Sequence, residues 1–167
     1  MTIGAVKNVD VSQARTPRLL RRLGAMLYDG MLIGALLLLA MALVVIALGS
    51  LQGWENFDPG GLRRHPLYIA YLCCIPLLFF GWFWTHGGQT LGMRVWRIQV
   101  VTLDGGPLGL RQAMLRFCSA LLSWAALGLG FLWVLFDRER MAWHDRLSGT
   151  RLVLVPKRSF RERPGNP

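Results

Sequence analysis

A single carboxylate inside a long apolar run is the feature that most constrains this chain. Leu23 to Leu48 is a run of 26 residues in which Asp29 is the one charged side chain. As a helix the run would be about 39 Å long, enough to cross a hydrocarbon core of about 30 Å. An ionised Asp at that depth costs about 2.5 to 3.5 kcal/mol, so it should face a partner or a wet cavity. The run therefore predicts a membrane span with a buried charge.

The composition is also typical of a membrane protein. Of 167 residues, 53% are hydrophobic and seven are Trp, which favours one compact domain whose core is partly replaced by lipid contact. The net charge is +10, and the basic residues flank the apolar runs. Such flanks lie against an anionic cytoplasmic leaflet. We therefore expect anionic lipids, and no nucleic acid, as partners.

The two ends of the chain differ from its middle. Residues 1–15 lack apolar periodicity and predict a mobile N-terminal tail, residues 16–156 predict the membrane domain, and residues 157–167 a basic C-terminal tail. Thr16 and Pro17 predict the start of the first helix, with Thr16 as N-cap and Pro17 at the first helical position. The apolar run that follows exceeds a signal-peptide core of about 7 to 15 residues, so we expect it to remain as the first span.

A second uncharged run predicts a second span. Pro66 to Thr85 is twenty residues long and closes on Trp82-Phe83-Trp84, an aromatic anchor suited to the membrane interface. Pro76 is a candidate position for a kink, which neighbouring helices would accommodate. The segment between the two runs, Gly49 to His65, is polar and rich in Gly, and we expect a loop on the outside.

Two later segments predict strands. Arg94–Leu103 is rich in Val, Ile and Trp and stops at the turn sequence Asp104-Gly105-Gly106-Pro107. Thr150–Val155 is a second strand-like piece. Between them lie a third apolar run, Phe117–Phe136, and the segment Asp137–Gly149, which we expect to be helical with Gly149 as its stop.

The distribution of cations conflicts with three full spans. Lys and Arg number five before Leu23, two in residues 49–65, four in residues 86–116 and eight after residue 136. Three spans from a cytoplasmic N-terminus would place the eight trailing cations outside, against the positive-inside rule. Two glycines within residues 124–130 favour instead a re-entrant hairpin, which leaves both strands on the cytoplasmic side, where they can pair. A straight third span is the alternative.

The expected fold is therefore an all-α membrane protein. It has two full transmembrane helices, a third apolar segment that re-enters or spans, and a small cytoplasmic β element. Cys73, Cys74 and Cys118 lie in apolar runs, so we expect buried thiols that act as small apolar residues rather than a disulfide framework. The three histidines and three cysteines show no metal-ligand spacing, and we expect no metal or other cofactor.

Four charged residues form one stripe on the first helix. Arg15, Arg18, Arg22 and Asp29 fall within about 60° of one another at 100° per residue. Arg22 and Asp29 would be about 10 Å apart along the axis, too far for a direct ion pair. Arg116, at the entry to the third run, is the predicted partner of Asp29. Such a pair could lock helices together or handle ions or protons.

A second group of charges follows the third run. It consists of Asp137, Arg138, Arg140, His144, Asp145 and Arg146. His144 and Asp145 could indicate catalysis, but neighbours in sequence point about 100° apart on a helix, and no Ser or Cys is placed as a nucleophile. We therefore interpret the group as a charge network at the membrane surface and expect no enzyme activity.

Three motifs together resemble the RDD family, which is named for an arginine and two aspartates. They are Arg22 with Asp29 seven residues later, Gly88-Gln89-Thr90-Leu91-Gly92-Met93-Arg94, and His144-Asp145-Arg146-Leu147-Ser148-Gly149-Thr150. The resemblance covers nearly everything from Arg18 to Val155. It implies a small bacterial integral membrane protein. Together with the distribution of cations, we expect a multi-pass protein of the inner (plasma) membrane with a cytoplasmic N-terminus. Its activity is largely unknown, transport is suspected, and cation/proton exchange is associated with some members.

Carried over by position, the resemblance makes Arg22 the family arginine, Asp29 the first aspartate and Asp145 the second, with Asp137 as a competitor for that place. Arg116 and His144 are candidate supporting partners. The expected function is transport-related, with Asp29 as the titrating or ion-coordinating group. The alternative is an accessory or assembly subunit of a larger membrane complex. Because two or three spans enclose no pathway alone, we expect a homo-oligomer or a subunit of a complex.

Overall fold

The computed structural model describes residues 14–156. The predicted tails, residues 1–13 of the first and residues 157–167 of the second, lie outside the described residues. Seven helices, a short 3-10 helix and two strands follow in chain order: α1 (Leu19–Gln52), α2 (Pro59–Arg64), α3 (Pro66–Thr85), α4 (Leu91–Val95), β1 (Ile98–Thr102), α5 (Leu110–Ala125), α6 (Leu129–Leu132), the 3-10 helix (Trp133–Leu135), α7 (Trp143–Leu147) and β2 (Thr150–Leu154).

Two of these helices, α1 and α3, are long and apolar enough to cross a membrane, and they contain the two apolar runs from which the spans were predicted. The prediction for the start of α1 is wrong by two residues, because Arg18 rather than Thr16 is the N-cap. The preceding chain stays extended since the backbone carbonyl of Arg15 accepts a hydrogen bond from the N–H of Leu154 in β2 at 2.9 Å. Because Arg15 pairs with β2, the helix begins later in the chain than predicted.

The predicted loop between the spans contains the short helix α2. Asp58 caps it, since its carboxylate accepts hydrogen bonds from the N–H groups of Gly60 and Gly61, both at 2.9 Å, and Pro59 occupies the first turn. The prediction of a loop overlooked the Asp58-Pro59 pair, which is a typical start of a helix. α3 has the predicted bounds and continues through Pro76.

The two strands pair, as predicted. The pairing is antiparallel, with Ile98 opposite Leu154 and Thr102 opposite Thr150. β1 begins at Ile98 and not at Arg94, because residues 91–95 form α4 and Arg97 adopts a left-handed φ of 54°. The outer edge of β1 is also paired, since the N–H of Val100 donates to the carbonyl of Gly88 at 2.7 Å. The sheet is small but bonded on both edges.

The third apolar run is bent. α5 and residues 129–135 meet at an angle of 107°, which confirms a break within residues 124–130; a bent pair of this kind is either a broken span or a re-entrant loop. Leu127 and Gly128 both adopt left-handed backbone, with φ of 54° and 81°. α5 begins at Leu110, seven residues before the apolar run, because its first turns bury Ala113 and Arg116 against the rest of the fold.

The segment Asp137–Gly149 is helical only over α7. Before it, the carboxylate of Asp137 accepts a hydrogen bond from the N–H of Met141 at 2.8 Å, which holds a turn in place of the predicted helix. Gly149, with φ of 62°, ends α7 as predicted.

The core lies where α1, α3, α4 and α5 meet the sheet. Its buried residues are Ala25, Trp84, Met93, Ile98, Val100, Leu108, Ala113 and Leu152. The prediction of buried thiols is wrong: the three cysteines are free and exposed, since they lie on faces of α3 and α5 that no other described part of the chain covers.

Candidate functional site

Asp145 is the centre of a buried charge cluster. One carboxylate oxygen, Oδ2, accepts a hydrogen bond from Arg22 Nη1 at 2.7 Å, and the other, Oδ1, lies 2.7 Å from Arg116 Nη1. Asp145 is the third residue of α7, and Oδ2 also accepts the N–H of Ala142, which precedes that helix. The side chain is fully buried. One carboxylate thus joins α1, α5 and α7.

Each arginine of the cluster has further partners. Arg22 Nη2 donates to the carbonyl of Arg140 at 2.7 Å. Arg116 Nη1 donates to the hydroxyl of Thr150 at 2.7 Å, and its guanidinium carbon lies 5.4 Å from the ring centroid of Trp84. These contacts tie the cluster to β2 and α3. Removing one member would strand a buried charge, which typically costs about 3 to 5 kcal/mol.

The electrostatics keep Asp145 ionised. Burial opposes the charged form, but Arg116 and Arg22 outweigh it and hold the pKa of Asp145 below its usual range.

His144, unlike Asp145, is uncharged in this cluster. Burial and the nearby Arg116 lower the pKa of its imidazole to about 3, so the ring is neutral, and its Nε2 lies 3.6 Å from Asp145 Oδ1. His144 packs against Phe131, with ring centroids 5.0 Å apart.

The predicted pairing of Asp29 with Arg116 is wrong, because Arg116 is committed to Asp145. Asp29 instead accepts two hydrogen bonds from the start of α4, one from the hydroxyl of Thr90 to Oδ2 and one from the N–H of Gly92 to Oδ1, the latter at 2.9 Å. Asp29 is 4% exposed. Within residues 14–156, no basic nitrogen lies within 4.0 Å of its carboxylate.

The middle motif places α4 against α1. A Cβ atom on Gly92 would collide with the backbone carbonyl of Ala25 and come within 2.9 Å of the Asp29 carboxylate. Glycine is therefore required for this close approach. Thr90, the N-cap of α4, also accepts the N–H of Met93 at 3.2 Å. The resemblance included these residues, but their contact with Asp29 could not be read from spacing along the chain.

A cavity of about 170 Å³ lies beside the cluster. Its polar wall is formed by Arg22, Asp29, Arg116 and His144, and most of the remaining wall is apolar or aromatic, including Phe80, Trp84, Phe117, Leu121, Trp124 and Phe131. Asp145 does not line it. Asp29 is therefore the carboxylate that faces this cavity.

Asp137 belongs to a separate surface pair. Its Oδ1 lies 2.6 Å from Arg146 Nη2, whose side chain is half exposed. The hydrogen bond from Met141 and the neighbouring Arg146 lower the pKa of Asp137. The predicted group of charges after the third run thus divides in two: Asp145 and His144 are buried with Arg22, whereas Asp137 and Arg146 form the surface network. Of the two aspartates, Asp145 is therefore the one that belongs to the buried cluster.

Comparisons with known proteins agree with the motifs. The model of the RDD family matches residues 16–149, most of the chain. No curated protein and no solved structure gave a match. The matched range contains both apolar spans, the bent third segment and every residue of the buried cluster. The family match covers most of the chain, and two helices are able to cross a membrane. The chain therefore belongs to the RDD family of membrane proteins.

Proposed function

We propose that this protein has a transport-related role in which Asp29 takes up and releases a proton. The observation that carries this proposal is the contrast between the two buried carboxylates. Asp145 is held by two arginines, whereas Asp29 is held only by a hydroxyl and a backbone N–H. Asp29 also lines a cavity. Ionisable groups within a membrane typically serve proton or ion pathways.

The partners of Asp29 are compatible with both protonation states. When Asp29 is ionised, the Thr90 hydroxyl donates to Oδ2; when it is protonated, Oδ2 donates and the hydroxyl accepts. The N–H of Gly92 donates to Oδ1 in either state. Proton exchange therefore breaks neither contact, so α4 stays against α1 throughout.

A cluster of arginines on one face of the protein supports an orientation of the chain in the membrane. A cleft beside β2 is lined by Arg15, Arg18, Arg21, Arg138, Arg140 and Arg151, with Glu139 as its one acidic residue. By the positive-inside rule we assign this face, the sheet and the N-terminus to the cytoplasmic side of a bacterial inner membrane, with the cleft against anionic lipid headgroups. The bent third segment is then a re-entrant hairpin. Two spans require a second copy or a partner to complete a pathway.

Proton flux in proteoliposomes tests the role of Asp29. The purified protein is reconstituted with a pH-sensitive dye inside, and Na⁺ or K⁺ gradients are imposed. We expect wild-type protein to move protons, Asp29→Glu to retain part of the rate, and Asp29→Asn to lose it while staying folded. Glu139→Gln, which changes an exposed carboxylate, is the control and should match wild type. A folded Asp29→Asn variant with the wild-type rate would contradict the proposal.

The accessory-subunit alternative rests on a different observation. Asp29 accepts the N–H of Gly92 and so helps to fix α4, which is a structural role that needs no titration. Under that alternative, wild-type protein gives no flux on its own, and the loss in Asp29→Asn follows the amount of protein assembled in the native complex.

A further inference from the structure

We propose that each chain binds one anionic phospholipid, with the phosphate in the arginine-lined cleft beside β2 and an acyl chain in an apolar groove that adjoins this cleft. The inference rests on the proposed function only for the side of the membrane that the cleft faces, and it is independent of proton transfer at Asp29. It also differs from general attraction to a charged leaflet, because a defined site fixes the number of lipids and the residues that hold them.

The cleft holds more positive charge than the described residues compensate. Its volume is about 710 Å³, and its charged lining consists of Arg15, Arg18, Arg21, Arg138, Arg140, Arg151 and Glu139. Within residues 14–156, none of these six arginines has a carboxylate oxygen within 4.0 Å, and Glu139 instead lies 3.6 Å from Arg146, which does not line the cleft. Five of the six are exposed. Guanidinium groups gathered in one cleft repel one another, and an entering anion relieves that repulsion.

The start of α1 adds to the positive potential of the cleft. Arg18 is the N-cap and Arg21 lies in the first turn, which contains no acidic residue. The N-terminal end of a helix carries a partial positive charge, so two cations there are unfavourable without a nearby anion. Of the anions that arginine binds through paired N–H donors, phosphate is the one that every anionic phospholipid carries.

An apolar groove adjoins the cleft. Its volume is about 470 Å³, and it is lined by Arg18, Leu19, Leu20, Val134, Leu135 and Arg140. Leu20 is 78% exposed and Leu135 is 63% exposed, so both side chains have room for a further apolar contact. Exposed apolar side chains beside a basic cleft match an amphiphilic ligand, because the anionic group and the hydrocarbon chain are then accommodated together.

Two arginines join the cleft to the groove. Arg18 and Arg140 line both, so a phosphate bound between them leaves its attached glycerol and acyl chains beside the groove. An inorganic phosphate would use the cleft alone and leave the exposed leucines uncovered. The shared lining therefore favours a phospholipid as the source of the phosphate.

Native mass spectrometry of the purified full chain in neutral detergent tests the inference. Dioleoyl phosphatidylglycerol and dioleoyl phosphatidylcholine, which share their acyl chains and differ in headgroup charge, are added separately. We expect one phosphatidylglycerol per chain to saturate before further lipids add, and about tenfold weaker binding of phosphatidylcholine. Phosphatidylglycerol binding without proton flux would refute the proposed function alone, and flux without such binding would refute this inference alone.

Two pairs of arginine variants separate a defined site from general attraction. Arg21→Gln combined with Arg138→Gln removes two charges from the cleft, so the affinity for phosphatidylglycerol should fall about tenfold or more. Arg94→Gln combined with Arg111→Gln removes two exposed charges outside the cleft and should leave the affinity near that of wild type.

Two pairs of leucine variants test the groove. Leu20→Ala combined with Leu135→Ala should weaken phosphatidylglycerol binding, because the acyl chain loses apolar contacts. Leu110→Ala combined with Leu147→Ala changes two leucines of similar exposure outside the groove and should have no effect. Inorganic pyrophosphate is the probe for a soluble source of phosphate, and we expect it to displace phosphatidylglycerol only weakly.

Three results would overturn the inference. Equal affinity for the two lipids would show that the headgroup charge is not recognised. Equal losses in the two arginine pairs would show general attraction without a site. A wild-type affinity in the folded Leu20→Ala, Leu135→Ala variant, with pyrophosphate binding as tightly as phosphatidylglycerol, would assign the cleft to a soluble phosphate.

Discussion

Asp29 and Asp145 are the same residue type in buried positions, yet their neighbours give them different chemistry. Asp145 meets two guanidinium groups, and Asp29 meets a hydroxyl and an N–H. Asp29 was identified from the sequence because it is a charge within an apolar run, whereas Asp145 was assigned by the family resemblance. Neither the sequence nor the resemblance revealed their partners. Spacing fixes distances within one helix, whereas Arg116 meets Asp145 only through the packing of α5 on α7.

His144 makes stability depend on pH. Its pKa is lowered to about 3 in the folded protein, while an unfolded chain binds a proton near pH 6.5. Between these two pH values, His144 is protonated in the unfolded chain and neutral in the folded protein. The free energy of unfolding is therefore highest above about pH 6.5, and it falls as the pH drops below that value. The expected slope approaches about 1.4 kcal/mol per pH unit. Denaturant unfolding in micelles, followed by Trp fluorescence, measures it.

A pair of histidine variants isolates this effect. His144→Gln removes the titrating group, so the pH dependence between about pH 6.5 and about pH 4 should flatten, where few carboxylates yet contribute. His65→Gln changes an exposed histidine and should keep the wild-type slope. An unchanged slope in folded His144→Gln would show that another group is responsible.

Among the elements, the long apolar helices were predictable because twenty uncharged residues leave little choice of structure. α3 has the predicted bounds for that reason. The short elements were less predictable, since α4 and β1 divide one Val- and Ile-rich segment and only tertiary contacts decide where the helix ends. The bend of the third run was predictable from the conflict of charges, and the paired strands agree with it.

The bend leads to a prediction about topology. If residues 110–135 re-enter, the chain after Pro156 lies on the same side as the N-terminus. A reporter enzyme that is active only outside the cytoplasm should give no signal when fused after Pro156. The same reporter inserted at Gly53, between α1 and α3, should be active and serves as the control. A strong signal after Pro156 would show that the bent segment crosses fully.

At the scale of the whole molecule, the buried cluster and the sheet hold the ends of three helices together. Much of α1 beyond this region is exposed, including Leu38, Leu39 and Leu43. Exposed apolar faces of this extent are typical of contact with lipid or a second chain. The charged residues of the buried cluster therefore hold the described chain together at the end of α1 that carries Arg22. We place the proposed function in the cavity beside this cluster.

The most direct test of this account is infrared spectroscopy of the reconstituted protein as a function of pH. A carboxylic acid gives a C=O stretching band that a carboxylate lacks. We expect wild-type protein to show a buried acid band that grows reversibly as the pH falls, and Asp29→Asn to lack that component. Glu139→Gln should retain it. The account is contradicted if folded Asp29→Asn shows the same pH-dependent buried band as wild type.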